Sequence, residues 1–129
     1  MKVNEIMRKP EVIGPNASIK DAANLMIRLE IGSLIVITDS RVIGILTDGD
    51  IIKRFISMDR PASEVFVKEI MTTKIVKVSS NESVEYAAHL MGEKNISHLP
   101  VIDKGKLVGI LTSSRILKHA PEIGMDALF

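Results

Sequence analysis

The stretch Gly44-Ile45-Leu46-Thr47-Asp48-Gly49-Asp50-Ile51-Ile52-Lys53 decides the fold, because it returns 65 positions later as Gly109-Ile110-Leu111-Thr112-Ser113-Ser114-Arg115-Ile116-Leu117-Lys118. In both copies an apolar run ends in Thr and a small polar cluster before apolar residues resume, which reads as a strand passing into a helix. Upstream, Val36-Ile37 returns as Val101-Ile102, and Ser18-Ile19-Lys20-Asp21-Ala22-Ala23-Asn24-Leu25-Met26 as Ser83-Val84-Glu85-Tyr86-Ala87-Ala88-His89-Leu90-Met91. At the start of the chain Val3-Asn4-Glu5-Ile6-Met7 is answered by Val67-Lys68-Glu69-Ile70-Met71, with a shift of 64. The chain is therefore two homologous halves. The period is longer than the roughly 20–50 residues of a solenoid unit, so two small domains packed about a pseudo-two-fold axis are expected.

Each half reads as β-α-β-β-α, an α/β (α+β) arrangement, with residues 1–60 as the first repeat and 61–129 as the second, ending in a short C-terminal tail. A turn around Glu5-Ile6-Met7 leads to an extended piece near Val12-Ile13, with Ile75 to Val78 as its counterpart. A helix from Ser18 to Glu30 follows, with Ser18 as N-cap, Asp21 three residues on, and an apolar stripe of Ala22, Leu25, Met26 and Leu29. Strands over Leu34 to Ile37 and Val42 to Thr47 flank the turn Thr38-Asp39-Ser40-Arg41, which becomes Asp103-Lys104-Gly105-Lys106 in the second half. A closing helix runs on from Thr47-Asp48-Gly49-Asp50 through Ile51, Ile52 and Phe55. Met58 to Ser63 is the linker with Pro61 as its break, and Pro121 ends the last helix ahead of a tail carrying Leu128-Phe129.

Composition narrows the function classes. The 129 residues carry 17 Lys+Arg against 16 Asp+Glu, which argues against a dedicated nucleic-acid binder. Cysteine is absent, which removes disulfides, Cys-ligated metals and Cys nucleophiles and suits a reducing compartment. Hydrophobic residues make up 46% but aromatics only 3%, so the core is aliphatic, with Met26 and Met91 inside it or at an interface. No apolar run approaches the roughly 20 residues of a membrane span, and the N-terminus lacks a secretory h-region; a soluble, cytoplasmic chain is expected. A half of about 60 residues is marginal alone, so the halves are expected to share an interface. His89 and His119 have no partner at metal-ligand spacing, Lys53-Arg54 and Lys118-His119 read as solvated helix ends, and no nucleophile–base pair stands out.

The Thr47-x-x-Asp50 junction carries the candidate chemistry. Free backbone N–H groups where a strand enters a helix can receive a phosphate, the Thr47 hydroxyl can donate to phosphate or ribose, and Asp50 can accept from vicinal ribose hydroxyls. Gly49 leaves room for close approach. The same spacing is also a capping box, in which Thr47 and Asp50 only satisfy the helix start. Both readings stand at this point.

Ile70-Met71-Thr72, Ala87-Ala88-His89-Leu90-Met91, Ile96-Ser97-His98-Leu99-Pro100-Val101 and Gly44-Ile45-Leu46-Thr47-Asp48-Gly49-Asp50, in this order and largely doubled, resemble the CBS-domain family, specifically a stand-alone tandem CBS pair (a Bateman module). The resemblance covers about residues 3–119. It implies a regulatory, non-catalytic homodimer of disc shape that binds an adenosine-containing ligand (AMP, ADP or ATP, with S-adenosylmethionine possible) in a cleft between the two repeats. Carried over residue by residue, it sets Thr47 and Asp50 opposite Lys74-Ile75-Val76 and Ile96-Ser97-His98-Leu99-Pro100. Ile45, Ile75 and Val76 would contact adenine and sugar, Ser97 and His98 the phosphates, and Pro100 would fix the start of its strand. The second cleft departs from the pattern: Thr112 is kept, but Arg115 stands where the acid belongs. Its facing segments, around Val12 and Ser33, lack the His and Pro. It is expected to be degenerate: empty, structural, or a lower-affinity phosphate site. With no effector domain read in the sequence, the output is expected on a separate effector protein, on a nucleic acid or on the dimer itself. The competing reading is a structural protein-interaction module with vestigial nucleotide sites.

Overall fold

A computed structural model describes residues 1–124; the Leu128-Phe129 end of the tail lies outside them. Helix α1 (Val3–Ile6) precedes strand β1 (Val12–Ile13), helix α2 (Ile19–Leu29), strands β2 (Ser33–Thr38) and β3 (Arg41–Thr47), and α3 (Asp48–Asp50). α3 continues without a break into a π-turn over Ile51–Phe55 and a 3₁₀ turn over Ile56–Met58. The second repeat gives α4 (Val67–Ile70), α5 (Val84–Lys94), β4 (His98–Asp103), β5 (Lys106–Thr112), α6 (Ser113–Lys118) and α7 (Ala120–Ile123). Among the described residues no helix is long and apolar enough to cross a membrane.

Local chemistry explains these elements. Ser18 and Ser83 cap α2 and α5 by accepting from the Asp21 and Tyr86 N–H groups at 3.0 Å each. Both helices end in a left-handed residue, Glu30 (φ 55°) and Asn95 (φ 55°). The hairpins turn on Asp39-Ser40 and Lys104-Gly105, all four at positive φ as a two-residue type I′ turn requires. Leu29 departs from the expected stripe: it is 39% exposed, at the last turn of α2 beside the left-handed cap. Pro121 does not simply terminate the closing helix. It sits in the first turn of α7, where its missing N–H costs nothing.

The compact units cross the sequence repeats. One unit holds Met1–Pro10 with the chain from Val76 onward; the other holds Glu11–Ile75. Each repeat thus contributes its opening helix to the unit built by the other repeat's sheet. In the 11–75 unit, Val67 and Ile70 of α4 are buried with Ile19, Ala22, Met26, Leu34, Val36 and Leu46. α4 is tied to the start of α2 by Ile19 N–H to Val65 O and Val67 N–H to Ala17 O, 2.8 Å each. In the unit containing residues 1–10, Val3 and Ile6 of α1 are buried with Val84, Ala87, Met91, Leu99, Val101 and Leu111. There Val3 N–H donates to Glu82 O and Val84 N–H to Met1 O.

The sheets differ by one strand, and a single residue explains it. β1, β2 and β3 form a three-stranded sheet in which Ile35 N–H donates to Glu11 O at 2.9 Å. Pro100 occupies the corresponding place on β4 and has no N–H to give. The expected extended piece over Ile75 to Val78 is accordingly reduced to one parallel bridge, Val78 to Val101, beside the two-stranded β4–β5 ladder.

Candidate functional site

The strand-to-helix junction of the 11–75 unit is a closed set of hydrogen bonds. Asp50 N–H donates to Thr47 Oγ1 (3.1 Å) and Thr47 N–H donates to Asp50 Oδ2 (3.0 Å), a complete capping box. The other carboxylate oxygen, Oδ1, accepts from the Thr72 hydroxyl at 3.1 Å. Thr72 is held there by its backbone: Ile45 and Thr72 exchange both N–H···O bonds at 2.9 Å, which lays the segment after α4 along the edge of β3. Arg54 secures the same segment from the π-turn, its Nη1 donating to the Ile70 and Met71 carbonyls at 3.1 Å each.

This geometry corrects two expectations. The junction offers no open backbone donors of the kind a phosphate would use: Thr47, Gly49 and Asp50 N–H groups donate to side chains of the junction, and Asp48 N–H donates to Gly32 O at 3.0 Å. Arg54, although exposed, is more than a solvated helix end: its guanidinium clamps two carbonyls. What the junction does offer is an oriented, half-buried carboxylate. Each Asp50 oxygen is bonded once, and a carboxylate has about four lone-pair sites, so one acceptor position remains on each oxygen. A Cβ at Gly49 would meet only Thr47 Oγ1, at 3.6 Å, so the approach is open there with or without glycine.

Among the sequence-derived candidates, the structure brings Ile45, Thr47 and Asp50 together, with Ile45 buried beneath the junction. Lys74 is exposed and Ile75 half-buried at the end of the same unit. Val76, Ile96, Ser97, His98 and Pro100 belong to the other unit. There Val76 and Ile96 pack on its core, the Ser97 carbonyl accepts from Ser113 N–H (3.0 Å), His98 is half-buried and paired with Thr112, and Pro100 is buried. Thr72 and Arg54 are the two members that sequence reasoning missed. Thr72 closes the quoted Ile70-Met71-Thr72 motif, a signal that pointed to the position but not to its partner.

The related junction has other chemistry. Thr112 Oγ1 accepts from Arg115 N–H at 3.1 Å, so the cap survives, while Arg115 Nε donates to the Ile6 carbonyl at 2.8 Å. Val12 is 48% exposed on β1 and Ser33 is buried, paired with Thr47 across the β2–β3 ladder. Among the described residues no group of acidic and His side chains could hold a metal ion. His89 faces Glu93 at 3.3 Å on the surface of α5, and His119 Nδ1 is bonded to Glu122.

Two homologous repeats, each lending its opening helix to the other's sheet, with one carboxylate junction and one guanidinium junction, define a paired-repeat module. Comparison with known proteins gives the family. The CBS domain model matches residues 3–57 and 67–122, and the chain belongs to that family. It is a CBS domain pair, a regulatory module. An uncharacterized protein of Methanocaldococcus jannaschii is 32% identical over 121 residues, 92% of this chain and 65% of that one. The chain thus spans somewhat less than two thirds of that relative, and 63% of a second, from Methanopyrus kandleri. A CBS domain crystal structure superposes with TM-score 0.90 at 32% identity, covering 94% of this chain and 98% of the other. A CBS domain pair solved in complex with 5′-methylthioadenosine and S-adenosyl-L-methionine does so with TM-score 0.83 at 30% identity, over 95% and 97%.

Proposed function

We propose that this module senses an adenosine-containing ligand, with the Asp50 carboxylate as acceptor for the ribose hydroxyls. The observation that carries the reading is the half-buried Asp50, aimed by the Thr47 N–H and the Thr72 hydroxyl with one acceptor position left on each oxygen. A fixed acceptor of this kind suits a vicinal diol, as acidic residues do in dinucleotide folds. The similar CBS pair that holds two adenosyl compounds supports the same class. AMP, ADP and ATP are the first ligands to test and S-adenosylmethionine the next; the closed backbone donors at the junction give a phosphate chain no anchor there, so the nucleoside carries recognition. The Thr47–Asp50–Thr72 arrangement joins the first repeat's junction to the second repeat's opening segment, so a ligand held there biases the fit of one on the other.

We further propose that the module acts as a homodimer through its helical faces. Ile27 on α2 (74% exposed) and Ile52 (69%) and Ile56 (64%) on the helical segment that follows α3 are large apolar side chains left exposed. Ile27 and Ile52 line a groove of about 420 Å³ with Ala23, Met26 and Ile51. A second copy is the occupant, and a separate effector protein, rather than nucleic acid, reads the state of the pair in the cytoplasm.

One observation favours the structural alternative. The capping box already gives Thr47 and Asp50 a complete local role, as a protein-interaction module with vestigial sites requires. Calorimetric titration of nucleotide-free protein with AMP, ADP, ATP and S-adenosylmethionine separates the two. Saturable binding near one ligand per chain supports the sensor; no heat with any of the four leaves the structural module.

A further inference from the structure

The two junctions differ in a way that the repeats themselves expose. Ile6 and Ile70 are equivalent, each the last residue of an opening helix, and each carbonyl is held by a guanidinium. The guanidinium comes from different places. For Ile70 it is Arg54, four residues past Asp50; for Ile6 it is Arg115, which occupies the position of Asp50 itself. The counterpart of Arg54 is His119, whose Nδ1 is bonded to Glu122 and whose buried Nε2 has no partner among the described residues.

The helices explain the difference. The π-turn over Ile51–Phe55 prolongs the helix and carries Arg54 to the carbonyls ending α4. α6 has no such turn and stops at Lys118, so position 119 lies beyond its end and the anchor comes from one turn earlier. The neighbouring position changes with it. Thr72, which donates to Asp50, is replaced by Arg8, which makes the same two-bond backbone pair with Ile110 that Thr72 makes with Ile45. Where one junction carries a hydroxyl and a carboxylate, the other has an arginine at each of the two positions. Guanidinium groups only donate, so a ribose diol finds no charged acceptor there.

We propose that the junctions diverged by relocation of this one guanidinium, and that position 115, given over to anchoring α1, offers no carboxylate, which leaves the junction at Asp50 as the site for ligand. Arg54 is then a positioning residue: it fixes the backbone that presents Thr72 to Asp50. The ligand half of this inference rests on the adenosyl reading above; the anchoring half does not.

Thermal unfolding and the same four-ligand titration on intact protein test both halves. Arg54→Ala is expected to lower the melting temperature by roughly 5 °C and to weaken binding about tenfold. Adding Asp50→Arg to Arg54→Ala is expected to recover at least half of the lost melting temperature while abolishing binding. Arg115→Ala is expected to lower the melting temperature similarly and leave one ligand per chain at unchanged affinity. If Arg54→Ala does not fold, Arg54→Lys replaces it as the background, with the same recovery expected. A double variant no more stable than its Arg54 background overturns the relocation. An Arg115→Ala protein that keeps its stability but binds more weakly makes Arg115 a ligand contact and overturns it too. If wild type binds none of the four ligands the adenosyl reading falls, and melting temperatures alone still decide the anchoring.

Discussion

Gly44→Ala is the sharpest stability test of how the opening segment is clamped to its sheet. Gly44 is buried in β3 beside the bulged Ile43 and lacks the positive φ that demands glycine, so replacing it should, on chain entropy alone, stabilise by about 0.4–1 kcal/mol. The surroundings say otherwise. A Cβ would lie 2.6 Å from Met71 Sδ and 3.0 Å from the Thr72 carbonyl oxygen. The thioether can turn aside, but the carbonyl oxygen is backbone and is itself bonded to Ile45 N–H. The segment must lift, weakening both 2.9 Å bonds between Ile45 and Thr72, each worth about 1 kcal/mol. Overpacking adds about 1–3 kcal/mol. The net loss is about 2–4 kcal/mol, or a melting temperature lower by roughly 8–16 °C for a chain of this size. Thermal and urea unfolding followed by circular dichroism measure it. Gly14→Ala, with nothing within 4 Å of its added Cβ, serves as the control and should be nearly neutral. A Gly44→Ala protein as stable as wild type would refute the clamp.

Gly92→Ala, inside α5 with nothing within 4 Å of the new methyl, is expected to stabilise by about 0.5–1 kcal/mol, seen as a higher urea midpoint. Asp103 gives a pH signature. Hydrogen bonds from the Ser80 hydroxyl first, then the Ser80 N–H and the Ser79 hydroxyl, hold its carboxyl below the usual range. A depressed folded-state value means that its contribution is complete above the unfolded value of about 4 and fades as pH falls through the folded one. The stability gap between wild type and Asp103→Asn should therefore be widest at neutral pH and narrow below about pH 4. A gap that stays constant from pH 7 to pH 3 in urea titrations contradicts this.

The repeat made most of the fold legible. Ser18 and Ser83 were readable as caps, the polar turns as hairpins, and Thr47-x-x-Asp50 as a capping box, because each is a local preference written in adjacent residues. The exchange of opening helices was not. Val3-Asn4-Glu5-Ile6 and Val67-Lys68-Glu69-Ile70 have nearly the same apolar face, so nothing in either says which sheet it will cover. The π-turn was also hidden, since Ile51 to Phe55 reads as ordinary helix, and with it went the role of Arg54. Pro100 was legible as a strand residue, but its effect, the loss of a third strand, emerges only against Ile35 in the other unit.

The central claim is that Asp50 is a ligand acceptor and not only a cap. It is tested most directly by calorimetric titration of nucleotide-free wild type and Asp50→Ala with AMP, ADP, ATP and S-adenosylmethionine, at a temperature where both are folded. If Asp50 accepts from the ligand, wild type takes up one ligand per chain and the variant binds about 10- to 150-fold more weakly, the cost of about 1.5–3 kcal/mol for losing a charged acceptor. Equal affinity in the two proteins would contradict it.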